Sequence, residues 1–163
     1  MSEIESVPSE YGEWFISLKR RIRAAQQRAV LAVNRELVQL YWNIGDNIST
    51  RCKQNGWGSK IIPRLAEDLK YEFPDMKGFS VTNLKYMRML AESWSFEEIS
   101  QAPLDQLTWY HLLTLQTKLI SKEERLKYAA LAVQHGWSRN VLVHHIELRT
   151  AERIGSAQNN FEI

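Results

Sequence analysis

The sequence predicts an all-α, multi-helix domain with a long N-terminal helix and a helix-turn-helix or winged-helix-like unit. Three observations carry this expectation. Apolar residues recur in steps of three and four through most of the chain, the spacing of one helix face. Glycine and proline number only seven and four among 163 residues, too few for the turn-rich connections of a β fold. Serine stands repeatedly just ahead of an apolar periodic run, where its hydroxyl can cap a helix N-terminus. No segment alternates apolar and polar for longer than about four residues, so no strand is expected.

Residues 1–14 read as a mostly flexible, acidic N-terminus, with helix setting in from Ser9 or Glu10. The first helix carries its stripe on Ile22, Ala25, Ala29, Val33, Leu37, Leu40, Ile44 and Ile48. Glutamates at its start and Arg51 and Lys53 at its end complement the helix dipole. Asn55-Gly56 supplies a left-handed stop. About 40 residues is long for a helix in a compact domain. It is therefore expected to break near residue 17 or to pair with a second copy, with Gly45 a candidate kink.

Ser59 is expected to cap a second helix through Ile61, Ile62, Leu65, Leu69 and Phe73, with Pro63 in its first turns and Pro74 ending it. After the turn at residues 74–78, Ser80 caps a third helix through Leu84, Met87 and Leu90. These elements make a first body over residues 15–94. A polar stretch reaching Pro103 marks residues 95–104 as a linker. The second half, residues 105–154, holds a fourth helix over 105–119 and a fifth opened by the Ser121–Glu124 capping box and ended by His135-Gly136. A sixth helix is capped by Ser138 and runs through Leu142, Ile146 and Leu148. Residues 155–163 are expected to fray as a tail. Gly56-Trp57-Gly58-Ser59 and Gly136-Trp137-Ser138 echo one another as helix joints.

Composition narrows the function. The single cysteine, Cys52, allows neither an internal disulfide nor a thiolate cluster, as suits a reducing cytoplasm. No apolar run approaches the roughly 20 residues of a membrane span, and the N-terminus lacks a signal-peptide core. A cytoplasmic protein with no membrane partner is expected. The net charge is only +2, but its distribution is uneven. Residues 1–16 carry Glu3, Glu5, Glu10 and Glu13 and no base; Lys19, Arg20, Arg21, Arg23 and Arg28 follow with no acid among them. Residues 76–91 carry Lys77, Lys85 and Arg88, again without an acid. Such runs mark either a solvated helix face or a polyanion-binding one.

No catalytic motif is present: there is no phosphate-binding glycine loop, no zinc-protease pair and no nucleophile elbow. His144 and His145 are adjacent on a helix and point to different faces, and His111 has no carboxylate nearby in sequence. Pro74-Asp75 and Asp68-Leu69-Lys70 superficially suggest a PD-(D/E)-x-K nuclease, but the order is reversed and the second element lies on a predicted helix. No catalytic residue, metal ligand or cofactor is expected.

Residues 59–93 read as helix, turn, helix. In a helix-turn-helix the second helix enters the major groove. Asn83 could then pair with adenine, while Lys85 and Arg88 meet guanine or phosphate, beside Lys77, Ser80, Thr82 and Tyr86. Ser138, Arg139 and Asn140 form a second candidate phosphate site. The competing reading of each is a plain capped helix with a solvated face. Trp14, Ile22, Val33, Leu37, Tyr41 and Trp42 on the long helix could instead serve protein interaction or homodimerisation.

Several of these segments together carry a resemblance. Asn34–Ile48, Gly56–Lys60, Ala66–Leu69, Phe73–Ser80, Asn83–Arg88 and His135–Leu142 are similar to the N-terminal domain of YhcG-type proteins, bacterial predicted PD-(D/E)-x-K nucleases. The resemblance spans roughly residues 15–161. It implies a helical, winged-helix-like DNA-binding unit serving a C-terminal nuclease domain that lies beyond this chain. DNA, that nuclease domain and a second copy are the implied partners. Leu107–His111 keeps the family's tryptophan and histidine but has Tyr110 where a small residue is usual.

Overall fold

The computed structural model describes residues 7–58 and 60–159. It divides into two compact units, residues 1–33 and 34–163. The described residues form α-helices and one 3-10 turn with no strand, so they contain no β-hairpin wing.

Helix α1 (Tyr11–Gln54) is unbroken through residue 17, and it takes in residues 11–14 of the stretch expected to be flexible. It ends as expected at a left-handed Gly56, φ 64°. In the first unit most of its apolar side chains remain exposed, Trp14, Ile22 and Val33 at 58%, 56% and 66%. Tyr11 stacks on Phe15 at 5.9 Å, and the Lys19 ammonium lies 5.6 Å over the Phe15 ring.

The second unit contains every buried core residue among those described, from Val38 to Leu142. Here α1 turns Val38, Tyr41 and Ile48 inward. α2 (Ile61–Glu72) starts with Pro63 in its first turn and buries Ile62 and Ala66. The expected cap, Ser59, lies outside the described residues. Ser80 caps α3 (Val81–Ser93), accepting from the Asn83 amide, and Leu84, Met87 and Leu90 are fully buried. Gly45 is not merely a weak point in α1. A Cβ there would overlap the Met87 carbonyl, so glycine lets α1 and α3 touch backbone to backbone.

Residues 95–104 are not a linker. Ser95 and Glu98 close a full capping box on α4 (Phe96–Ile99), and a 3-10 turn follows at Leu104–Gln106. Ile99 and Leu104 each expose only 1%, which fastens this segment into the core. Polar composition had concealed two buried anchors.

α5 (Trp109–Lys118) packs on α3, on α6 (Lys122–His135) and on α7 (Arg139–Glu147). Thr108, Ser121 and Ser138 cap these three helices, and Gly136 ends α6 at φ 64°. The Arg125 guanidinium donates to the Leu115, Gln116 and Leu119 carbonyls and so closes the C-terminus of α5 from α6. Left-handed Arg149, φ 53°, separates α7 from α8 (Thr150–Asn159). Residues 155–159, expected to fray, are therefore helical. Tyr128 on α6 holds α8 by donating to Glu152 at 2.7 Å. No described helix is long and apolar enough to cross a membrane.

Candidate functional site

Three surfaces were candidates, and the structure separates them by how much of their chemistry is already spent inside the fold. On α3, the core takes Leu84, Met87 and Leu90, leaving Thr82, Lys85, Met89 and Glu92 exposed. Tyr86 is half-buried against the core. Asn83 is committed at both ends. Its amide donates to the Gly78 carbonyl at 2.7 Å, and its oxygen accepts from the Trp109 indole at 2.8 Å. Reaching a base would therefore cost Asn83 both of these part-buried hydrogen bonds. Arg88 is engaged as well, donating to Glu92 at 2.9 Å. Glu92 also accepts from Ser49 at 2.8 Å and lies 4.0 Å from Lys53. Burial pushes the Glu92 carboxyl up, but the bonds from Arg88 and Ser49 and the nearby cations outweigh it and hold its pKa low.

The turn at residues 73–80 is longer than the roughly three to four residues of a helix-turn-helix joint. It is braced from three helices. Tyr41 on α1 donates to the Lys77 carbonyl at 3.3 Å and meets Trp109 edge-on at 5.0 Å, while Asn83 ties Gly78. Gly78 is at φ 115°, closed to other residues, and a Cβ there would strike the Tyr41 hydroxyl. The Lys77 side chain stays exposed, and Ser80 spends its hydroxyl on the cap.

At the second surface, Ser138 accepts from the Val141 amide, and Arg139 bonds Asn140 at 3.2 Å and Thr114 at 3.4 Å. Arg149 forms the break after α7, and Arg153 lies on α8. The nearby His111 is engaged within the fold: it is 9% exposed, contacts Thr108 at 2.6 Å and places Nε2 2.7 Å from the Trp137 carbonyl. Nε2 facing a carbonyl oxygen must donate. His145 stacks on Trp137 at 3.9 Å. Trp57, the other half of the expected echo, is 44% exposed and lines a cleft of about 250 Å³ with Ile48 and Leu65.

The third surface lies on α1. Between Glu13 and Glu36 there is no acid, while Lys19, Arg20, Arg21, Arg23, Arg28 and Arg35 are present and exposed. Arg35 pairs with Asp105 at 3.0 Å. The other five make no ion pair among the described residues. The run is legible in the sequence, but composition alone does not separate a binding face from a solvated one.

Of the interaction residues, Tyr41 and Trp42 are corrected. Tyr41 is 4% exposed, and the Trp42 indole donates to the Trp94 carbonyl at 2.8 Å. Both face the chain's own core, as does half-buried Leu37. Trp14, Ile22 and Val33 remain exposed. Among the described residues no group of three His, Cys, Asp or Glu is placed to hold a metal ion.

No curated protein and no solved structure matches this chain significantly. Residues 17–153, from just before the basic run of α1 to the first turn of α8, match the DUF1016 N-terminal domain, and the chain belongs to that family.

Proposed function

We propose that this chain binds DNA without sequence-reading chemistry of its own, as the non-catalytic targeting domain of a cytoplasmic nuclease-family protein. The observation that supports it best is the acid-free stretch of α1, with five exposed cations unspent on ion pairs among the described residues. Cations already paired inside a fold release few counterions on meeting phosphate; unpaired ones release them fully. Within the second unit, Lys77, Lys85 and Arg139 are exposed as further cations able to meet phosphate. The α2–turn–α3 hairpin then works as a buttressed helix pair. The nuclease association rests on the YhcG-type resemblance.

The test is fluorescence anisotropy of the full chain with duplex DNA at low and rising salt. Binding should weaken steeply with salt, by a log–log slope of about 0.9 per phosphate contact. Replacing Arg20, Arg21 and Arg23 together with alanine should reduce that slope by roughly two to three. Absence of binding at about 100 μM protein in low salt, beyond ordinary non-specific affinity, would overturn the proposal.

A further inference from the structure

The first unit leaves a second kind of surface uncovered. Projected at about 100° per residue, Tyr11, Phe15, Leu18, Ile22, Ala25 and Ala29 fall in one sector of α1. Trp14 and Val33 lie at its two edges. Every charged residue between positions 11 and 33 falls outside this sector, so the cations flank an uncharged apolar seam. Most of the seam is exposed, with Tyr11 43%, Phe15 45%, Ile22 56% and Val33 66%, while Leu18 is half-buried. Soluble chains seldom leave so continuous an apolar stripe in water.

The seam is also graded in size. Its N-terminal end is bulky, with Tyr11, Trp14, Phe15 and Leu18; its C-terminal end is small, with Ala25 and Ala29. The separation of packed helices follows the side chains between them. In a parallel pair in register, aromatic would face aromatic at one end and alanine would face alanine at the other, so the axes would splay. Reversing one copy removes the conflict. Ile22 then meets Ile22, Phe15 meets Ala29 and Tyr11 meets Val33, while Leu18 falls within one residue of Ala25, with a bulky residue against a small one on both sides of the centre.

We propose that residues 11–33 of α1 pair antiparallel with the same segment of a second copy, centred on Ile22. Three aromatics at about half exposure, with Ile22 and Val33, give two copies on the order of 1,200 Å² to bury, enough for a specific interface. The cations stay outside the seam and accessible. The inference stands on the apolar stripe and its size gradient, not on DNA binding, and either can fail without the other.

Sedimentation velocity on the full chain without DNA should give a dimer mass, and Ile22→Glu should return it to a monomer with the unfolding transition of residues 34–163 retained. Orientation is read by oxidative cross-linking in a Cys52→Ser background. Ile22→Cys should form a disulfide dimer with itself. Phe15→Cys should cross-link to Ala29→Cys in a mixture of the two variants, and poorly to itself. A wild-type monomer at high micromolar concentration overturns the proposal, including one that binds anionic vesicles or an acidic helical peptide instead. A Phe15→Cys homodimer forming as readily as the mixed one overturns the antiparallel arrangement. The wild-type mass decides the matter even where a variant fails to fold.

Discussion

Asn83 had the chemistry of a base-reading residue and serves as a bracket between a turn and a distant helix. Its partner Trp109 lies 26 residues further on, which no local pattern reveals. Asn83→Ala would leave the Trp109 N–H and the Gly78 carbonyl without partners, at a cost of about 2–4 kcal/mol. Urea unfolding should show this loss. A fall in DNA affinity at unchanged stability would instead show Asn83 reading a base. Ser80, by contrast, was legible, because a cap needs only the three residues that follow it. Tyr128 gives a second prediction at this scale. Burial, then its bond to Glu152, pushes its phenol from 10.0 to about 12, while that same bond holds the Glu152 carboxyl below its usual value. The raised phenol contributes stability that is fully present below pH 10 and is lost as pH rises from there through about 12. The lowered carboxyl contributes stability present above its ordinary pKa and lost as pH falls through its depressed one. Thermal melts across pH should therefore show an alkaline decline that Tyr128→Phe flattens.

At the scale of elements, helices were legible where their signals are local and misread where they are not. Periodicity and caps located α2, α3, α6 and α7, but polar residues around Ile99 and Leu104 hid a core-anchored segment. α8 was missed because residues 155–159 lack an apolar stripe; it is held through Tyr128 and Glu152. Arg125 is a further non-local device, closing α5 from the neighbouring helix. Arg125→Met keeps much of its packing and removes the donors, and should cost about 1–3 kcal/mol by chemical denaturation. Gly45 is the more severe case. Sequence suggests a kink, whereas the structure shows a crossing in which the Met87 backbone occupies the place of a side chain. Gly45→Ala must push α1 and α3 apart and should destabilise by about 2–3 kcal/mol. An alanine variant as stable as the parent would mean the two helices do not touch at this point.

Across the whole molecule, stability and the proposed binding reside in different stretches of chain. Every buried core residue among those described lies at or beyond Val38, whereas the unpaired cations and the exposed seam of α1 lie before Asn34. Sequence periodicity could not show this division. The stripe runs from Ile22 to Ile48 in the same steps of three and four, and nothing in the spacing marks where intramolecular burial stops. Composition changes at residues 95–104, whereas packing changes at Val33. A chain beginning at Asn34 should therefore keep the cooperative unfolding of the second unit, with a midpoint shifted by the equivalent of about 1 kcal/mol or less, as for the loss of exposed surface. It should lose helical circular dichroism in proportion to the segment removed and most of its salt-dependent affinity for duplex DNA. The two readouts test separate claims. Loss of cooperative unfolding would show that residues 1–33 contribute to the core after all. Retention of full DNA affinity would move the binding surface to Lys77, Lys85 and Arg139 and take it away from the basic run of α1.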